Sequence, residues 1–200
     1  MLYHLTAREN IERVHDLARL ESTAFLMEAA DQRSNVRARR MGKLPLSIGP
    51  HRVVIRDQAP LRAGNIEFEA GWGLEDLVDD LNRRVFFWSG WEHGPIEHGL
   101  NHFERYRSEN PVLLRVRFES LRSHNQEHTP LFCKFNSDSP RCYHGRRSPR
   151  GPATFLPAQA CPYGAGSVVE VTFLYWVTLP PDTEVSNNLG GGWRAQFNEH

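Results

Sequence analysis

Apolar positions recur at two spacings along the chain, and the spacing alternates between strand-like and helix-like up to about residue 118. Leu2-Tyr3-His4-Leu5-Thr6 reads as a short first strand. Thr6 with Glu9 three residues later has the form of a capping box, and Ile11, Val14, Leu17 and Ala18 supply the stripe of a helix. Residues 31–50 carry Arg, Gly and Pro with little periodicity, which predicts a long loop after a helical tail. Arg52–Arg56 predicts a strand, and Leu74, Leu77, Val78 and Leu81 predict a helix ending near Asn82. Val85–Trp88 predicts a strand, 96–107 a helix, and Val112–Phe118 and Leu131–Phe135 two more strands. Residues 136–167 are rich in Pro, Gly, Ser and Arg, Val168–Val177 reads as a late strand, and 187–200 as a glycine-broken tail. Connections this irregular do not fit regular βαβ winding, so the expected class is α+β with a strongly bent sheet.

One residue breaks the apolar pattern of the late strand. Glu170 falls on the same face as Val168, Thr172, Leu174 and Trp176, a face with the composition of a core. A lone buried carboxylate is costly unless something pairs or uses it. Glu170 is therefore the first functional candidate, with an edge-strand glutamate, or one paired with a neighbouring arginine, as the alternative.

At 200 residues and 40% hydrophobic, the chain can bury one sizeable core, which predicts a single domain over 1–186 followed by a flexible tail over 187–200. Formal net charge is zero, so no global field draws the protein to nucleic acid or membrane, and any polyanion site must be local. Lys43 and Lys134 are the only lysines among 24 basic residues, and Arg37, Arg39, Arg40 and Lys43 form one cluster, Arg141, Arg146, Arg147 and Arg150 another. Three cysteines without a CxxC fit a reducing compartment. No apolar run has the form of a signal peptide or approaches the roughly 20 residues of a membrane span, so the expectation is a cytoplasmic protein without a membrane partner.

Several motifs fail on inspection. Gly164-Ala165-Gly166 precedes a strand instead of following one, and Val169 stands at the third glycine position of a dinucleotide fingerprint. Gly42-Lys43 lacks the upstream glycine of a phosphate loop. His98 and His102 have helical spacing, but Gly99 stands where HExxH requires Glu, so no metal is expected.

The opening segment Leu2–Ile11 resembles the start of the DarT-type ADP-ribosyltransferases, in which a strand ending in His or Arg precedes an R-(D/E)-N-I helix. Val85-Phe86-Phe87-Trp88 is similar to that family's aromatic strand, and Val112–Leu121 to its following apolar strand. Val168-Val169-Glu170-Val171 with Leu179-Pro180-Pro181 resembles the block that holds the catalytic glutamate. The resemblance spans residues 1–185 as an ordered set of short motifs; Phe87-Trp88 stands where Tyr-Phe is usual, and 90–101 has no counterpart.

The resemblance implies an ADP-ribosyltransferase-like bent, split β-sheet core flanked by helices. It implies NAD as co-substrate, no metal, and transfer of ADP-ribose to an acceptor, with nucleic acid, DNA or RNA, foremost. A bacterial toxin or phage-defence effector with an antitoxin partner is the setting it suggests. On this reading Glu170 is catalytic, because a carboxylate beside the ribose stabilises an oxocarbenium-like centre. Arg56, within Arg56-Asp57-Gln58, is preferred to Arg52 as the essential arginine, since a guanidinium fork matches a diphosphate. His4 and Thr6 at the end of the first strand, Phe87 by stacking and Asn136 at a strand end are the NAD-binding candidates, with Arg52 beside them. Arg141, Tyr143, Arg146 and Arg147 are the acceptor-binding candidates. The alternatives are a catalytically inactive nucleotide-binding module and an arginine-rich nucleic-acid-binding protein.

Overall fold

A computed structural model of the protein describes residues 1–197. The chain runs β1 (Leu2–Thr6), α1 (Ile11–Leu17), β2 (Arg19–Glu21), α2 (Thr23–Ala29), β3 (Leu44–Ile48), β4 (His51–Ile55), β5 (Ile66–Phe68), α3 (Leu74–Asn82), β6 (Arg84–Trp91) and β7 (Gly94–Pro95). It continues through α4 (Glu97–Tyr106), β8 (Val112–Val116), α5 (Phe118–Ser123), β9 (Leu131–Cys133), β10 (Ser148–Arg150), β11 (Leu156–Pro157), β12 (Glu170–Leu174), β13 (Trp176–Thr178), β14 (Glu184–Ser186) and β15 (Arg194–Ala195). The result is a single mixed α+β domain. Its main sheet has the order β11-β9-β12-β6-β1-β8-β14-β15, antiparallel throughout, with β7 paired to β6. No helix among the described residues is long and apolar enough to cross a membrane.

The alternation of side chains on the two central strands sets up both the core and the site. Val171 and Phe173 on β12 lie opposite Phe87 and Val85 on β6, and all four are buried in the largest apolar cluster with Val14, Leu121 and Val177. Phe87 and Phe173 meet edge to face at 6.1 Å, the arrangement that aromatic quadrupoles favour. The intervening positions face the other way: Glu170 lies opposite Trp88, and Thr172 opposite Phe86. On that side α3 packs Leu77, Val78 and Leu81 at helical spacing with Phe86 and Cys133.

The sheet does not remain closed along its length. β1 pairs with β8 over all of Leu2–Thr6, but with β6 only at Leu2 and Tyr3. From His4 onward β1 and β6 part. The Phe86 carbonyl accepts from His4 Nδ1 at 2.8 Å, which satisfies a main-chain acceptor at the split.

The structure departs from the sequence expectations at five places. Residues 31–50 contain a strand, since β3 pairs with β4 through the Gly49-Pro50 turn, from Ile48↔His51 to Leu44↔Ile55. Pro45 hides this strand in the sequence, as proline is tolerated only at strand edges. The run 168–177 is two strands in different sheets: the chain turns at Tyr175, whose φ is 62°, and β13 then pairs with β2. The Thr6–Glu9 capping box does not form, because residues 8–10 make a single 3₁₀ turn without a side-chain cap and Thr6 Oγ1 accepts from Asn10 Nδ2 at 3.0 Å. Helix α5 begins at the residue expected to end a strand. In the stretch expected to be a tail, Arg194–Ala195 pair with β14, while 198–200 lie outside the described residues.

Phe87→Ala is expected to cost about 3–5 kcal/mol of stability, the usual penalty for emptying a buried aromatic site, read as the shift in urea unfolding at unchanged slope.

Candidate active site

A cavity of about 220 Å³ lies in the split, with His4 and Thr6 of β1 on one side and Phe86, Trp88 and Glu170 of β6 and β12 on the other. Arg56, just past the end of β4, His102 and Tyr106 of α4, and Asp138 complete the wall around Glu170. Gly99 allows α4 to come this close: a Cβ there would meet the Pro95 Cβ at 2.8 Å and the Trp88 Cβ at 3.2 Å. One turn further on, His102 packs on Trp88 with ring centroids 4.4 Å apart.

Glu170 is 3% exposed, with Trp88 opposite it on β6 and Cys133 opposite it on β9. Oε1 accepts the Ser137 N–H at 3.1 Å. Oε2 is buried and has no hydrogen-bond partner among the described residues. Burial first, and then the charge of Asp138, push the carboxyl up to about 8, against the weaker pull of the Ser137 donor and Arg150. In the free protein Glu170 thus holds a proton at neutral pH.

Arg56 is the second unsatisfied group. Nε, Nη1 and Nη2 are all buried without an acceptor, and the guanidinium lies 4.5 Å over the Tyr106 ring. The cation–π contact offsets part of the desolvation, which lowers the arginine's pKa without making it neutral. Asn10 places this residue: its Oδ1 accepts the Val54 N–H at 2.7 Å and its Nδ2 donates to the Val54 carbonyl at 3.1 Å, docking β4 on the end of β1. Arg40 then braces the turn, donating Nε to the Arg56 carbonyl at 3.1 Å and Nη1 to Asn82 Oδ1 at 3.0 Å. Burial lowers Arg40 to about 10.

Both cavity histidines are neutral. Burial lowers His4 to about 4, aided by the charge of Arg56, and lowers His102 to about 3, with Arg56 and Arg105 adding to it. Because a carbonyl only accepts, His4 Nδ1 carries the proton and Nε2 is left as the acceptor. Trp88 Nε1 and Ser137 Oγ are also buried without partners. The cavity therefore presents unspent donors on Arg56 and Trp88, an unspent acceptor on His4 and the unpartnered Oε2 of the Glu170 carboxyl, a lining suited to a polar, anionic ligand.

The structure brings Glu170, Arg56, His4 and Thr6 together in this cavity. It does not bring in the others. Phe87 is turned into the core by strand alternation, and its neighbours Phe86 and Trp88 face the site instead. Arg52 is exposed on β4. Asn136 is half-buried outside the cavity wall, its carbonyl held by Arg150 Nη2 at 3.0 Å. Arg141, Tyr143, Arg146 and Arg147 are exposed around a tight hairpin in which Tyr143 and Arg146 pair; none lines the cavity. Sequence reasoning pointed to Trp88 for stacking and to Ser137 beside Asn136, and missed Asn10, Tyr106 and Asp138. The helical spacing of His102 and Tyr106 was a usable signal, whereas an isolated Asp138 in a Pro/Gly/Ser stretch gave none. No group of three or more His, Cys, Asp or Glu able to hold a metal occurs among the described residues.

The model of a family of unknown function, DUF7002, matches residues 1–179. The chain belongs to the DUF7002 family. The match takes in β1, α4, β12 and every residue of the cavity wall, leaving out residues 180–200. No curated protein and no solved structure matches the chain.

Because Glu170 binds its proton more tightly folded than unfolded, its contribution to stability is fully present below the ordinary carboxylate pKa and is lost as pH rises toward 8. Glu170→Gln removes that dependence. The melting temperature of the variant minus that of wild type is expected to increase from pH 5 to pH 8.5 in differential scanning calorimetry; a constant difference would place the carboxyl's titration elsewhere.

Proposed function

We propose that this protein is an NAD-dependent ADP-ribosyltransferase with nucleic acid as its acceptor. The observation that carries the reading is the meeting of a buried, unpartnered Arg56 guanidinium with a buried, half-satisfied Glu170 carboxyl at a split in the sheet. Such a cation calls for an anion, and its two-pronged edge matches a diphosphate. The cavity's volume of about 220 Å³ is below the roughly 300–1,000 Å³ of pockets for drug-sized ligands. It suits one nucleoside-sized unit of a dinucleotide, not the whole.

Each residue has a chemical task on this reading. Arg56 holds the diphosphate, and His4 Nε2 accepts a hydrogen bond from a ribose hydroxyl. Trp88 Nε1 has a hydrogen bond to give to the nicotinamide end. Glu170 bonds the ribose beside the bond that breaks and stabilises the positive charge developing at that carbon as nicotinamide leaves. The cationic nicotinamide ring favours the ionised carboxyl, so binding itself draws Glu170 below its free-protein value. Water is kept from the reacting carbon by the apolar rings of Phe86 and Trp88 and by α4. The exposed arginine hairpin at residues 141–147 is on the segment that joins Asp138 to Glu170, and its Tyr143 and His144 suit base stacking while its arginines suit phosphates.

Nicotinamide release from NAD is the direct test. Wild type is expected to release nicotinamide, faster with single-stranded DNA or RNA present. Glu170→Gln is expected to lose at least about a hundredfold in kcat with little change in NAD affinity, as for the loss of an interaction made mainly in the transition state. kcat/KM, which reports the free enzyme, is expected to rise with pH to a plateau above about 8, and kcat to level off at lower pH. No release under any of these conditions would refute the reading.

A further inference from the structure

Arg150 belongs to a run of arginines that is otherwise exposed, yet it is 1% exposed. Its guanidinium is fully engaged inside the protein. Nε donates to the Ser137 carbonyl at 3.2 Å and Nη2 to the Asn136 carbonyl at 3.0 Å. Nη1 donates to Ser148 Oγ at 2.7 Å and to the Pro149 carbonyl at 2.8 Å, and the group lies 4.7 Å over the Phe135 ring. All these acceptors are neutral. A buried cation without a paired anion is a poor way to gain stability alone, since apolar residues of like volume often serve as well.

The carbonyls it holds identify its task. They are those of Asn136 and Ser137, the two residues that lead to Asp138 at the cavity wall. The N–H of Ser137 makes the one hydrogen bond that Glu170 receives among the described residues. We propose that Arg150 is a positioning residue: by gripping the Asn136 and Ser137 carbonyls it aims the Ser137 N–H at Glu170 Oε1. Its consequence for catalysis rests on the transferase reading; its geometry does not.

The charges around Glu170 fix the sign of the effect. Arg150 faces it from β10, Asp138 from the gripped loop, and Cys133 from β9, where burial keeps the thiol neutral at about 12. Across the cavity are His4 on β1, Arg56 after β4, and His102 and Tyr106 on α4, and on the neighbouring strand β6 is Arg84, paired with Asp80. The Ser137 donor and the Arg150 charge favour the carboxylate, whereas burial and Asp138 favour the acid. Loss of the Ser137 donor, with Asp138 still at the cavity wall, raises the Glu170 midpoint.

Carbon-13 carboxyl and nitrogen-15 amide NMR titrations read this without NAD. In wild type the Ser137 amide is expected to move with the same midpoint as the Glu170 carboxyl. Arg150→Lys keeps the charge but gives its N–H bonds from one point, whereas the Ser137, Asn136 and Ser148 acceptors are spread over three guanidinium nitrogens. It is expected to raise the Glu170 midpoint by about one pH unit, the worth of one hydrogen bond to a charged group, and to lower kcat/KM at pH 7 about tenfold while kcat on its plateau changes little. Should that variant not fold, Ser148→Ala removes one acceptor, keeps the cation, and is expected to move the midpoint upward by a few tenths of a unit. A Ser137 amide that ignores Glu170 in wild type, or a folded variant with an unmoved midpoint, overturns the assignment. If wild type releases no nicotinamide, the transferase reading fails while the NMR results still decide the role of Arg150.

Discussion

The parting of β1 from β6 after Tyr3 is the constraint from which the rest of the site follows. Two neighbouring strands in an antiparallel sheet normally satisfy each other's main-chain groups. Here pairing stops at Leu2 and Tyr3, and a side chain, His4, supplies the bond that the Phe86 carbonyl needs. The gap left behind is walled by side chains from both strands. Glu170, on β12 beside β6, faces this gap with its Oε2 unpartnered among the described residues.

Around that gap the fold keeps its polar groups incompletely paired. Arg56 has an aromatic ring beneath it and no acceptor, Glu170 is held in its acid form, and both histidines are held neutral. These states sustain one another: the Arg56 charge opposes protonation of the histidines, and Asp138 opposes ionisation of Glu170. Elsewhere the same chain pairs charges, as Arg115 does with Glu184 at 2.6 Å and Arg37 with Asp76 at 2.6 Å. The contrast within one molecule marks the cavity as a place adapted to a ligand, since unpaired buried groups cost stability that a ligand can restore.

Much of the framework was legible from spacing. The strand at Leu2–Thr6, the helix through Leu77, Val78 and Leu81, and the strands at Val85 and Val112 show in the period of their apolar residues, and Glu170 stands out because it interrupts such a run. Parity was not legible where both faces are apolar: Phe86, Phe87 and Trp88 satisfy either assignment, and the packing of Phe87 against Phe173 decides it. Nor could the sequence distinguish Arg150 from Arg146 and Arg147, since burial of a charged residue depends on carbonyls brought from Asn136 and Ser137 by the tertiary fold. Pro45 concealed β3, and Asn10 shows its role only when Val54 is beside it.

The most direct measurement is calorimetric titration of NAD into the wild-type protein and into Arg56→Lys at neutral pH and moderate salt. Wild type is predicted to bind one equivalent, and the variant, which keeps the charge but loses the fork, to bind at least about tenfold more weakly while remaining folded. Equal affinity for the two proteins, or no binding by wild type, would contradict the claim that the unpaired guanidinium in the split is there to receive a dinucleotide.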